Sequence, residues 1–156
     1  MNKAVVVSQV LVLGAVMAGC THQQGPDPTI PPVAPSRQVA GSTLPARAGG
    51  YTAMGSAPAT AQTSATYARD ADPSDLVVIT LDANGHFGTA EFDDQQWYGA
   101  SRCGTLWKGD PDATPRPTQM ACVTVLTDGV MTSVSAGKQT AAELAELANA
   151  IYSVLS

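Results

Sequence analysis

From His22 to Asp70 the chain carries few side chains large enough to build a core, and this confines where it can fold. The stretch is rich in Pro, Gly, Ala, Ser, Thr and Gln. Ile30-Pro31-Pro32-Val33-Ala34-Pro35 has the texture of a polyproline-like piece, and Gly49-Gly50 and Gly55-Ser56-Ala57-Pro58 that of flexible chain. So little apolar surface does not offset the entropy of ordering the backbone. The expectation is a disordered tether over residues 20–72, with a folded domain over 73–156. A tether of roughly 48 residues has a typical span of about 40 Å.

The domain itself has a readable pattern. Asp75-Leu76-Val77-Val78-Ile79-Thr80-Leu81 is β-branched and apolar on both faces, as a central strand covered by a helix requires. Asn84-Gly85 predicts a tight hairpin, with His86 to Phe92 returning as the second strand. Asp93-Asp94-Gln95-Gln96 has the form of a capping box opening a short helical turn that carries Trp97 and Tyr98 and stops at Gly99. Strands are predicted over Arg102–Trp107 and Met120–Thr127. Between them the Pro-rich stretch 108–117 is a surface loop. Asp128-Gly129 predicts a second hairpin into Val130–Ser135.

The last element is the most sharply specified. Thr140-Ala141-Ala142-Glu143 is a capping box, and Leu144, Leu147, Ala148, Ile151 and Leu155 then recur at helical spacing. Glu143, Glu146, Asn149 and Ser153 fall on the other side. Burying the four large aliphatics contributes roughly 6–12 kcal/mol gross. The predicted fold class is α+β, a small antiparallel sheet with a C-terminal amphipathic helix packed on one face.

Charge narrows the partners. The chain has 156 residues and a formal net charge of −5, and all thirteen acids except Asp27 lie from Asp70 onward. Only Arg102, Lys108, Arg116 and Lys138 oppose them there. An acidic surface repels phosphate backbones, so nucleic acid is excluded as a natural partner.

At the front, Lys3 precedes a run from Ala4 to Ala18, apolar except for Ser8, Gln9 and Gly14, that is too short for a comfortable membrane span, which takes about 20 residues. It suits the hydrophobic region of a signal peptide over residues 1–19. The run ends in Met17-Ala18-Gly19-Cys20. Small residues before the cysteine let an extended chain enter a narrow peptidase site. This segment resembles the bacterial lipobox, with Met17 where leucine is usual. The resemblance covers residues 1–20 alone. It implies cleavage before Cys20, a diacylglyceryl thioether on its sulfur, and acylation of the new amino group, so that the protein is exported and anchored to the membrane by lipid. Two or more acyl chains anchor stably where one binds reversibly. Thr21, where aspartate would retain a lipoprotein at the inner membrane, points to the periplasmic face of the outer membrane in an organism that has one.

With Cys20 taken by lipid, Cys103 and Cys122 remain as an even pair. An exported domain this small gains from a staple, and the two flank the Pro-rich loop, so they are expected to be bridged. Closing a loop of this size contributes about 3 kcal/mol. No Cys-x-x-Cys or His cluster accompanies them, so no metal is expected.

Catalytic signals are weak. The domain's single histidine, His86, sits beside a turn, and Gly-x-Ser-x-Gly, His-Glu-x-x-His and Walker motifs are absent. Asp82-Ala83-Asn84-Gly85 places its glycine two positions early for a calcium loop. Asp93-Asp94 are explained by helix capping. Trp97, Tyr98 and Trp107 are half of the domain's six large aromatics and form the candidate partner-contact set. The expected function is a lipid-anchored, non-enzymatic envelope module with no cofactor beyond its covalent lipid. It binds another envelope protein, as an accessory of a secretion, pilus or conjugation apparatus. Two other readings fit the same residues: a small ligand-binding or hydrolytic lipoprotein working near His86, Asp93 or Asp94, and a surface-exposed exclusion-type lipoprotein.

Overall fold

The computed structural model describes residues 31–55, 63–85, 92–107 and 118–156. The signal segment and Cys20 lie outside these, as do the 108–117 loop and residues 86–91. Eight strands and one helix follow in order: β1 (Arg47–Ala48), β2 (Tyr51–Ala53), β3 (Ser64–Arg69), β4 (Asp72–Asp82), β5 (Phe92–Tyr98), β6 (Ser101–Trp107), β7 (Thr118–Leu126), β8 (Gly129–Ser135) and α1 (Ala141–Val154). They make one antiparallel sheet in the order β1-β2-β3-β4-β8-β7-β6-β5. Two four-stranded meanders, β1–β4 and β5–β8, are thus joined through their last strands, and α1 packs on one face. The expected α+β architecture is present, with a wider sheet.

Alternation sorts the two faces. Val77, Ile79 and Leu81 of β4 point to the helix and are buried, while Val78 points away and is 40% exposed. Met131, Cys122 and Cys103 continue the helix-side layer across β8, β7 and β6. Thr140 accepts the backbone N–H of Glu143, and Glu143 returns the bond to the Thr140 N–H, which completes the capping box. Leu144, Leu147, Ala148 and Ile151 are fully buried, and Leu155 nearly so. Both rims of the sheet reach this helix. Gly49, in the β1–β2 turn, runs so close that a Cβ there would sit 3.4 Å from Ala150 Cβ and Leu147 Cα. At the other rim, Asn149 donates to Tyr98 O at 2.8 Å and accepts from the Ala100 N–H at 3.2 Å. The sheet therefore curls around the helix, and Asn149, expected on the outer side, is part-buried.

The tether over residues 20–72 is corrected for its described part. Val39, Leu44, Tyr51 and Tyr67 belong to the main core, and β1–β3 extend the sheet beyond β4. Few large residues suffice because Val39, Leu44, Tyr51 and Tyr67 are all buried, while Val33 and Met54 stay exposed. Tyr67 is fully buried, its phenol donating to Pro45 O at 2.5 Å, and aromatic side chains each bury about 150–250 Å². The small Ala65 and Ala68 let β3 lie against β4, whose backbone groups pair without regard to side-chain size.

The Asn84-Gly85 hairpin is also corrected. β4 turns at Ala83-Asn84, but its neighbours are β3 and β8, and β5 lies at the far edge. The helical turn over Asp93–Gln96 is corrected too: these residues are strand β5, with a bulge between Asp93 and Gln96. Asp94 has φ 51°, the one non-glycine residue with positive φ among those described. The bulge folds over Gly104, where an added Cβ would meet Asp93 O at 2.6 Å. Pairing across Gly104 outweighs the local capping signal. The β7–β8 hairpin forms one residue earlier than expected, around Thr127-Asp128.

Candidate functional site

Cys103 and Cys122 stand directly opposite each other on β6 and β7 and form a disulfide, with Cα atoms 4.0 Å apart. Both are fully buried on the helix side. The bridge ties the third and fourth strands of the reading above, as expected. Its setting is a packed core, so it is a structural staple shielded from thiols in solution. A structural disulfide places the domain in an oxidising, extracytoplasmic compartment.

The three aromatic candidates are not brought together. Trp97 and Tyr98 are adjacent in β5, so their side chains leave opposite faces of the sheet. Tyr98 packs against the main core, and its hydroxyl donates to Gln96 Oε1 at 3.2 Å. Trp97 pairs with Arg102 on the face away from the helix. There Arg102 is 2% exposed, with its guanidinium 5.4 Å from the Phe92 ring centroid and Nη1 donating to Gln95 Oε1 at 3.0 Å. The bulge of β5 thus forms a lid over a buried cation, an arrangement no spacing in the sequence announces. Burial pushes the Arg102 pKa down. Trp107 stands at the other end of β6, opposite Thr118, where the 108–117 connection leaves and returns. Of the residues weighed for hydrolysis, His86 lies outside the described residues, and Asp93 and Asp94 sit in the β5 bulge.

A cleft of about 240 Å³ opens elsewhere, lined by Gly49, Gly50, Tyr51, Arg69, Glu143 and Glu146. Its centre is Arg69. The guanidinium lies 5.3 Å from the Tyr51 ring centroid, and Nε is 2.8 Å from Asp75 Oδ2. Nη1 and Nη2 both donate to Glu143 Oε1 at 3.1 Å. The Thr140 N–H and hydroxyl, then Arg69, hold the Glu143 carboxyl below its ordinary range. Asp75 is nearly buried and takes a second bond, from Gln139 Nε2 at 2.6 Å. Gln139 in turn accepts from the Ser135 hydroxyl. One arginine therefore clamps β2, β3, β4 and the start of α1. Its charge is already answered by two carboxylates, which suits a fastening more than a reactive group. Sequence reading missed it because Arg69 fell inside the supposed tether. The alternation Ala65, Tyr67, Arg69 on one face of β3 was the available signal.

Fold and bridge together define a class: a small α+β domain for an oxidising compartment, with an eight-stranded antiparallel sheet wrapped on one helix and stapled by a core disulfide. Comparison of the chain with protein-family models, with curated proteins and with solved structures finds no match.

Proposed function

We propose that the chain is a lipid-anchored, non-enzymatic envelope protein whose disulfide-stapled domain binds another envelope protein. The observation that carries this reading is the buried Cys103–Cys122 bridge, which belongs to an oxidising compartment. It agrees with the export signal and with Cys20 as the odd cysteine, held by diacylglycerol and an N-acyl chain. In an organism that has an outer membrane, its periplasmic face is the favoured location, from Thr21. A binding role is supported over a catalytic one by the cleft chemistry, since Arg69 and Glu143 satisfy each other.

The contact surface falls at the end of the sheet where Trp107 and Thr118 flank the 108–117 connection, with Trp97 a separate contact on the outer face of β5. The test is a photo-crosslinking residue introduced in living cells at position 107, with position 84 as the comparison. A discrete adduct to one envelope protein from 107, absent from 84, is the expected result. The same adducts from both positions, or none from either, would contradict a specific partner at this end.

A further inference from the structure

The end of the domain at which the chain arrives from Cys20 is fastened firmly. Ser36 N–H donates to the Tyr152 hydroxyl at 3.0 Å, and Arg37 Nη2 donates to Ser153 O at 3.1 Å. Gln38 N–H donates to Ser156 O at 3.1 Å, and Thr127 N–H donates to Arg37 O at 2.7 Å. Residues 36–38 are thus bound to the last turn of α1 and to the β7–β8 turn. The β4 turn at Ala83-Asn84 lies at this same end, since Asp82 pairs with Val130.

Fifteen residues lie between Cys20 and Ser36. Whatever path they take, they span at most about 55 Å fully extended. β7 rises from Thr118 to Leu126 over a distance of about 26 Å, about half of that limit. A domain held on so short a span has its two ends at different mean heights above the surface that holds it. The surface of the near end agrees. Val33, at 60%, and Val154, at 63%, are the most exposed large apolar side chains among the described residues; Val154 ends α1, and Val33 precedes the anchored Ser36 by three positions. Charge does not draw this end to anionic headgroups, because Asp82 and Asp128 outnumber Arg37. Chain length and the two valines do the orienting.

From this we infer that the helix C-terminal end, with Val33, Arg37 and Val154, faces the lipid bilayer, and that the Trp107/Thr118 end is turned outward. The inference rests on the proposed lipid at Cys20. It replaces a domain roaming at the end of a fifty-residue tether by one with a membrane side and a partner side.

The experiment uses the chain from Cys20 to Ser156, oxidised so that Cys103 and Cys122 stay bridged. Cys20 is coupled through its thiol to a maleimide phospholipid in phosphatidylethanolamine–phosphatidylglycerol vesicles. Orientation is then read whether or not the cell lipidates the protein, and mass analysis of the cellular protein answers that separate question. A donor dye is placed through a bio-orthogonal residue at Asn84 or at Ala136, both exposed. Energy transfer to acceptor lipids is compared between the two. Transfer from position 84 is expected to exceed that from 136 by about twofold, because the sites differ by roughly 20 Å along β8. Inserting a Gly/Ser segment of roughly 36 residues before Pro26 raises the typical reach to about 40 Å and is expected to bring the ratio towards one. Equal transfer at native length, a reversed ratio, or a ratio unmoved by the insertion would each overturn the inference.

Discussion

Asp128, in the two-residue turn between β7 and β8, accepts the backbone N–H of Val39 on one carboxylate oxygen at 2.5 Å. Its other oxygen takes the Ala40 N–H at 2.9 Å. This fastens the first described segment across 89 positions of sequence. It converts residues that look like tether into part of the domain.

The bond makes stability depend on acid. The Val39 N–H and then the Ala40 N–H hold the Asp128 carboxyl below its ordinary range. A depressed native pKa stabilises the fold above the unfolded value of about 3.9 and loses that contribution as pH falls through the native value. Asp72 follows the same rule, held at about 2 by the Ser74 hydroxyl and then Lys138. Thermal unfolding of Asp128→Asn is expected to show a lower midpoint than the parent at pH 7, with the gap closing as pH falls below about 4 and through the depressed native value. A gap that stays constant down to the acid limit would contradict this role of the charge.

The buried bridge is expected to matter for stability and to be silent to thiol reagents. Native oxidised protein should show no reactive thiol from Cys103 or Cys122, both being bridged and fully buried. Replacing both by Ala is expected to cost about 3 kcal/mol from the freed loop, with a further loss from the packing that the sulfurs supply. Urea unfolding of the double variant, compared with the oxidised parent, measures it. Equal stability of the two would leave the staple without a role.

Tyr67 separates a domain that begins near Ser36 from one that begins at 73. Tyr67→Ala is expected to cost about 3–5 kcal/mol, the range for removing a large aromatic from a core. Tyr67→Phe removes only the bond to Pro45 O and is expected to cost about 1 kcal/mol. Burial pushes the Tyr67 phenol up to about 12, so alkaline spectrophotometric titration should find it among the last tyrosines to ionise. A neutral Tyr67→Ala would return β3 to the tether.

Arg69→Gln leaves Asp75 nearly buried with Gln139 as its remaining partner. Breaking a fully buried pair costs about 3–5 kcal/mol; because Arg69 is 29% exposed, a loss of about 2–3 kcal/mol is expected here. Asp75→Asn with Arg69→Gln, which removes both charges, is expected to recover part of it. A double-mutant cycle in urea reads the coupling, and strict additivity would show that the clamp is incidental.

What the sequence revealed follows from how local each signal is. The α1 helix was legible because its cap and stripe are written within sixteen residues, and the structure keeps both. β6, β7 and β8 were legible because β-branched runs and a tight turn are likewise local. β3 was not, since its pairing with β4 depends on backbone groups that alanine and serine offer as well as valine does. β5 was misread because Asp93–Gln96 does carry a capping pattern. What overrides it is distant in sequence: Gly104, which admits the bulge, and Arg102, which lies beneath it. Asn84-Gly85 does mark the end of β4, but both edges of β4 are filled by β3 and β8. Of the site residues, Cys103 and Cys122 were found by counting, whereas no count could group Trp97, Tyr98 and Trp107. Their faces and ends depend on a register that only the assembled sheet defines.

The reading of the whole chain turns on Cys20. Intact-mass and N-terminal analysis of the protein extracted from the membrane fraction of its own cells tests it most directly. The expected result is a chain beginning at Cys20, carrying a diacylglyceryl thioether and an N-acyl group, with Cys103 and Cys122 oxidised. A chain that keeps Met1, or a mature chain in which Cys20 bears a free thiol, would contradict the lipid anchor and with it the proposed place of this domain in the envelope.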